Sequence, residues 1–108
     1  MKATFGEYIR QLRTDKGFTL TELAALLKLD SANLSKIENG KRDFDEKRLD
    51  KLAVAFELDI EKLKTEYFGD KFAKKMYEYN CSTETLIVAE EKINYLKSIN
   101  VKQTEIKF

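Results

Sequence analysis

An all-α chain is the fold class this sequence predicts, and three observations predict it. The 108 residues contain no proline, so nothing of that kind breaks a helix from within. No stretch alternates β-branched and polar residues as a half-buried strand does. Apolar residues recur instead at intervals of three and four, in short blocks that each carry a start or stop signal. A hydrophobic fraction of 43% is that of a globular protein. The length suits one compact domain with an appendage.

Taken in order, the first helix is predicted from Phe5 to Asp15, with Phe5, Tyr8, Ile9 and Leu12 at helical spacing and Gly17 where a left-handed C-terminal residue is wanted. Thr19 and Glu22 form a Thr-x-x-Glu capping box that opens a second helix through Leu23, Ala24 and Leu27. Lys28-Leu29-Asp30 reads as a turn, with Asp30 as N-cap of a third helix from Ser31 to Glu38 that stops at Asn39-Gly40. After the polar turn Lys41-Arg42-Asp43, Asp45 is the expected cap of a fourth helix carrying Leu49, Leu52, Ala53 and Phe56. Asp59 is the expected cap of a short fifth helix with Ile60 and Leu63.

Beyond Gly69 the pattern changes. A sixth helix is expected from Asp70 to Tyr79, stopped at Asn80, and a longer one from Glu84 to Ile99 capped by Ser82 or Thr83. Leu86, Ala89, Ile93 and Leu96 make an apolar stripe on the latter, widened by Val88 and Tyr95. A helix of barely two heptads is not stable alone in water, so something covers the stripe. Either the upstream core does so, or the same helix of a second chain does; a complete set of five helices upstream favours the second chain. The expected organisation is therefore residues 1–69 as one domain, 70–100 as a helical dimerisation extension and 101–108 as a tail.

Several function classes are disfavoured by composition. There is no histidine, which removes His-based acid–base catalysis and His-ligated metal sites. The four glycines are far apart and form no phosphate-cradling loop. The carboxylates are mixed with lysines on helical faces, as on any solvated surface. No catalytic residue, metal site or cofactor is expected. The start of the chain, Met1 to Glu7, lacks the apolar core of a signal peptide, and no run approaches the roughly 20 apolar residues of a membrane span. The single cysteine, Cys81, agrees with a reducing compartment, so a cytoplasmic location is expected. The net charge of +1 is uninformative about nucleic acid, because phosphate affinity depends on local placement of charge.

Local pattern is more specific. Two helices joined by a short turn, with the small Ala24 where they approach, satisfy the packing needs of a helix-turn-helix. Leu23, Leu29, Leu34 and Ile37 are placed to lock the pair onto the first and fourth helices. The outward positions of the third helix, Ser31, Ala32, Asn33, Ser35 and Lys36, are small or polar, which suits entry into a major groove.

The stretch from about residue 5 to 65 resembles the Xre/Cro/C1-type helix-turn-helix regulators, with the lambda-repressor-like five-helix fold. The resemblance rests on Ile9-Arg10-Gln11-Leu12-Arg13 with Lys16-Gly17, on Glu22-Leu23-Ala24, and on Leu34-Ser35-Lys36-Ile37-Glu38-Asn39-Gly40-Lys41-Arg42. It implies a homodimeric regulator, a repressor or autoregulator, that reads a palindromic double-stranded DNA operator. Ser31, Ala32, Asn33 and Lys36 match the base-facing positions, where asparagine suits adenine, lysine suits guanine, and Ala32 serves as a methyl contact or a spacer. Thr19, Lys28, Ser35, Asn39, Lys41 and Arg42 fall at phosphate-gripping positions. Arg13 and Glu38 match a structural ion pair between the first and third helices. Two departures stand out: Leu20 replaces a glutamine common after the helix-2 cap, and Lys28 replaces the glycine that usually starts the turn, which demands either a positive φ or a different turn. The alternative function is a protein-interaction module, such as an antitoxin or controller-protein subunit, whose C-terminal helices bind a protein partner.

Overall fold

The computed structural model describes residues 3–102. Among them are six α-helices and one 3-10 turn, with no strand: α1 (Phe5–Lys16), α2 (Leu20–Leu27), α3 (Ser31–Glu38), the turn Glu46–Arg48, α4 (Leu49–Phe56), α5 (Ile60–Glu78) and α6 (Glu84–Lys102). The chain divides into two compact units, one up to Ala73 and the other from Lys74 onward.

Local chemistry explains most boundaries. Thr4 and Thr19 each accept from the backbone N–H three residues on, while Glu7 and Glu22 reach back to the cap N–H groups; both boxes are complete. Asp30 accepts from the Asn33 N–H at 2.7 Å. At the other ends, Gly17 (φ 81°), Lys28 (φ 57°), Glu57 (φ 53°) and Asn80 (φ 53°) all turn into the left-handed region. In each case the following N–H bonds a carbonyl five residues back, which closes the last turn. The fourth helix departs from expectation at its start: Asp45 caps the 3-10 turn through Lys47 N–H, and α4 begins only at Leu49.

The first unit is closed around Ile9, Leu23, Leu27, Leu34, Leu52 and Leu63, all fully buried. A second layer is aromatic. Phe5 packs against Phe44 and Tyr67 with ring centroids 5.6 and 5.1 Å away, and the Tyr67 hydroxyl donates to the Phe44 carbonyl at 2.7 Å. That bond lets a tyrosine end inside the core without an unsatisfied O–H. The close approach of α1 to α3 depends on Gly6, where a Cβ would stand 2.2 Å from the Ile37 carbonyl oxygen.

The two helices expected on either side of Gly69 are one. α5 runs unbroken from Ile60 to Glu78 with Gly69 inside it. An interior glycine weakens a helix by only about 1 kcal/mol, and burial of Leu63 and Tyr67 on the same helix outweighs that. The last helix extends to Lys102, two residues into the expected tail; residues 103–108 of that tail lie outside the described residues.

Candidate nucleic-acid interface

Helices α2 and α3 meet across a turn whose geometry is set by Lys28 and Arg48. Lys28 takes the positive φ, and Arg48 donates to the carbonyls of Leu27 at 3.0 Å and Lys28 at 3.3 Å. A cationic fork on the last carbonyls of α2 satisfies groups the helix cannot bond itself. Arg48 is in turn held by Asp45 at 3.0 Å. Ala24 is buried where the helices come together.

α3 is fixed from the side of α1 by a buried charge. Glu38 is 3% exposed, and its two oxygens accept from Arg13 Nε at 2.7 Å, Arg13 Nη2 at 3.1 Å and Arg10 Nε at 3.3 Å. Arg13 also donates to the Phe18 carbonyl at 3.0 Å. The hydrogen bond to Glu38 holds the Arg13 guanidinium above its already high ordinary pKa, against an opposing desolvation. Two cations around one carboxylate, with its oxygens hydrogen-bonded, is the arrangement that makes a buried charge tolerable. Arg10 extends this cluster outward by donating to the Asn39 side-chain oxygen. Arg10 carries no role among the sequence expectations. Its spacing of three from Arg13 places both on one face of α1, and that was the available signal.

With its inner face so held, α3 turns the rest outward. Ser31, Ala32 and Lys36 are exposed, and Asn33 and Ser35 are half-buried. Around them lie the exposed Thr19, Lys28, Asn39, Lys41 and Arg42. Thr19 uses its hydroxyl oxygen and its backbone N–H within the capping box, so its hydroxyl hydrogen is what it retains for an outside acceptor. The Asn39 oxygen is taken by Arg10, which orients its amide nitrogen as the outward donor. Arg42 donates to the Asn33 side-chain oxygen.

The sequence pattern of the helix-turn-helix family matches residues 9–63, from within α1 into the start of α5. The chain belongs to this helix-turn-helix family, of the Xre/Cro/C1 type. It is 35% identical over 82 residues to the HTH-type transcriptional repressor RghR of Bacillus subtilis, a match covering 72% of this chain and 61% of that one. The match thus spans about three fifths of the length of that repressor. The restriction-modification controller protein C.AhdI of Aeromonas hydrophila is similar in structure, with 36% identity, a TM-score of 0.50, and coverage of 55% of this chain and 89% of that one. SinR, solved in complex with DNA as a master regulator for biofilm formation, shares 28% identity at a TM-score of 0.50, covering 56% of this chain and 97% of that one.

The helix-turn-helix match ends before α6, which has a character of its own. No described side chain of α6 is buried. Leu86, Ile93 and Leu96 are 54%, 50% and 37% exposed, and Ala89 is exposed beside them. Among the tyrosines, Tyr67 is core, whereas Tyr77, Tyr79 and Tyr95 are exposed. In the basic cluster of α5, Lys71 donates to the Tyr67 hydroxyl at 3.2 Å and Lys75 lies over the Tyr79 ring. The hydrogen bond to Tyr67 holds Lys71 above its usual pKa. Among the described residues no cluster of acidic or cysteine side chains could hold a metal ion, and no helix is long and apolar enough to cross a membrane.

Proposed function

We propose that this protein is a sequence-specific, double-stranded DNA-binding transcriptional regulator that acts as a homodimer. One observation carries the reading: α3 exposes a small, polar face on a frame made rigid by the buried Glu38 cluster and the Arg48-capped turn. A helix that enters a groove has to be held with such precision, since a bidentate base contact tolerates little displacement. Ser31, Ala32, Asn33 and Lys36 face the bases. Thr19, Lys28, Ser35, Asn39 and Lys41 bond phosphates and set the register, while Arg42, expected with them, is turned onto α3 by Asn33. The named activities of RghR and C.AhdI support a repressor or controller role, which a DNA target of this kind would place in the cytoplasm. Leu86, Ala89, Ile93 and Leu96 of α6 join the two copies, and the resulting two-fold axis selects a palindromic site with half-sites about one helical turn apart.

The test is a binding titration of the full chain against DNA from immediately upstream of its own gene, at two salt concentrations, with scrambled competitor. Competitor-resistant binding that saturates at two chains per site and weakens steeply with salt supports the proposal. Binding no better than to the scramble overturns it for that DNA. In the same assay Lys36→Ala loses about 1–3 kcal/mol at its own base pair.

The exposed apolar side chains of α6 also favour a second reading, in which that helix binds a protein of another sequence. A chain that binds operator as a monomer, and whose α6 captures a partner only in its unassembled form, would bear out that reading instead.

A further inference from the structure

Asn33 sits in a chain of three polar side chains. Its amide nitrogen donates to Asp30 Oδ2 at 3.0 Å, and its amide oxygen accepts from Arg42 Nη1. Asp30 is meanwhile tied down by its other oxygen, which caps α3 through the Asn33 backbone N–H at 2.7 Å. Carboxylate, amide and guanidinium are thus connected in one line, each polarising the next, and the amide has a single orientation. Arg42, which follows α3 by four residues and lies outside any helix, is drawn onto the face of α3 by this line.

We propose that Arg42 is a base-reading, specificity-determining residue for guanine and that Asn33 positions it. The inference rests on the DNA-binding reading above. A phosphate grip needs only a mobile positive charge, and Lys41 next in the chain supplies that. An anchored guanidinium is different. One N–H is committed to Asn33, the remaining donors keep a fixed direction, and the fork that results matches guanine O6 and N7 in the major groove. The carboxylate of Asp30 argues the same way. It is two hydrogen bonds from Arg42, so a phosphate brought to that guanidinium also approaches a fixed negative charge, whereas a base edge carries no such penalty. Asn33 keeps a second amide hydrogen and a second lone pair beyond those used by Asp30 and Arg42, and with these it faces an adjacent base.

This division of labour makes the two residues unequal, and the inequality is measurable. A duplex library is selected with the full-length wild-type chain, and single-base-pair variants of the selected site are then titrated with wild type, Arg42→Ala, Arg42→Lys and Asn33→Ala. Thermal melts check that each variant is folded. Wild type is expected to discriminate about tenfold or more at one G·C pair in each half-site. Arg42→Ala loses discrimination at that pair alone, and Arg42→Lys does not restore it, because an ammonium has no fork. Asn33→Ala loses it there and at the neighbouring pair as well. A uniform loss across all variants with Arg42→Ala, a salt slope smaller by about one, and rescue by Arg42→Lys would make Arg42 a phosphate contact and overturn the proposal. A wild-type chain that enriches no sequence would instead remove the DNA-binding reading on which it stands.

Discussion

Up to Ala73 this protein gathers most of its large apolar side chains into a shared core, with Leu26, Val54 and Phe72 left outside it, whereas α6 presents Leu86, Ile87, Val88, Ile93, Tyr95 and Leu96 to solvent. Both regions are helical and similarly rich in apolar residues, so composition does not separate them. Closure does. The first region satisfies its own groups down to a buried carboxylate with three N–H donors, and no buried side-chain polar atom among the described residues lacks a partner. In the second, every described side chain of α6 is at least partly exposed, whereas most helical stability in a folded protein comes from a packed apolar face. One region is finished around a closed core; the other leaves its apolar side chains exposed.

Breaking the finished region takes a single atom group. Glu38→Ala removes the carboxylate partner of Arg13, whose side chain is 15% exposed, and leaves that partly buried guanidinium with the Phe18 carbonyl but no counter-charge at that position. The expected loss is about 3–5 kcal/mol of unfolding free energy in a denaturant titration. Operator affinity measured well below the transition should fall far less than stability does. An unchanged midpoint would mean that Arg13 finds water or another acceptor, and that the cluster contributes little rigidity. Next in size is Gly6→Ala. Its Cβ would lie 2.2 Å from a backbone carbonyl, which cannot swing away as a side chain can. Separating α1 from α3 should cost about 1–3 kcal/mol, and it also loosens the frame under the reading face, so operator affinity is expected to drop along with stability.

Those two sites also mark what the sequence made legible. Helix starts were readable because a capping box is local: Thr19 and Glu22 are three residues apart and bond each other's ends. The Arg13–Glu38 pair was readable only through the resemblance, since nothing local joins residues 25 positions apart. Gly6 looked like an ordinary helix residue because its reason is a carbonyl on another helix. Phe44 stood beside a polar turn and gave no periodic signal, yet it is core because its ring packs between Phe5 and Tyr67 and Tyr67 bonds its carbonyl. Of the helix ends, that at Glu57 was hidden in the same way, and that at Lys28 was flagged only through the resemblance. Gly17 and Asn80 advertise a left-handed turn, while Lys28 and Glu57 adopt it only because the packing around them over-determines the backbone. The line from Asp30 through Asn33 to Arg42 was out of reach for a related reason: the cap was foreseen, but side-chain partners across a loop are set by the fold.

Gly69 invited a helix break and did not receive one, and that suggests a smaller, stabilising test on the helix that leads from one region to the other. A Cβ added there would meet nothing within 4 Å. Gly69→Ala should therefore raise the unfolding free energy by about 0.4–1 kcal/mol, through a less flexible unfolded chain and better helix propensity. A loss of stability would show that α5 bends at this point in solution.

The smallest expected effect on the folded chain tests the unfinished region most directly. Ile93 is 50% exposed, so Ile93→Glu disturbs no buried position of the single chain. In dilute solution the unfolding free energy should stay within about 0.5 kcal/mol of wild type, as for an ordinary surface substitution. If α6 pairs with a second copy, the wild-type midpoint rises with protein concentration and that of the variant does not, because mass action stabilises only a chain that associates. Sedimentation should then show the variant as a monomer at concentrations where wild type is a dimer, and operator binding should weaken without any change in which base pairs are preferred. A variant that unfolds earlier even when dilute would contradict the premise, for it would mean that α6 is already covered by its own chain.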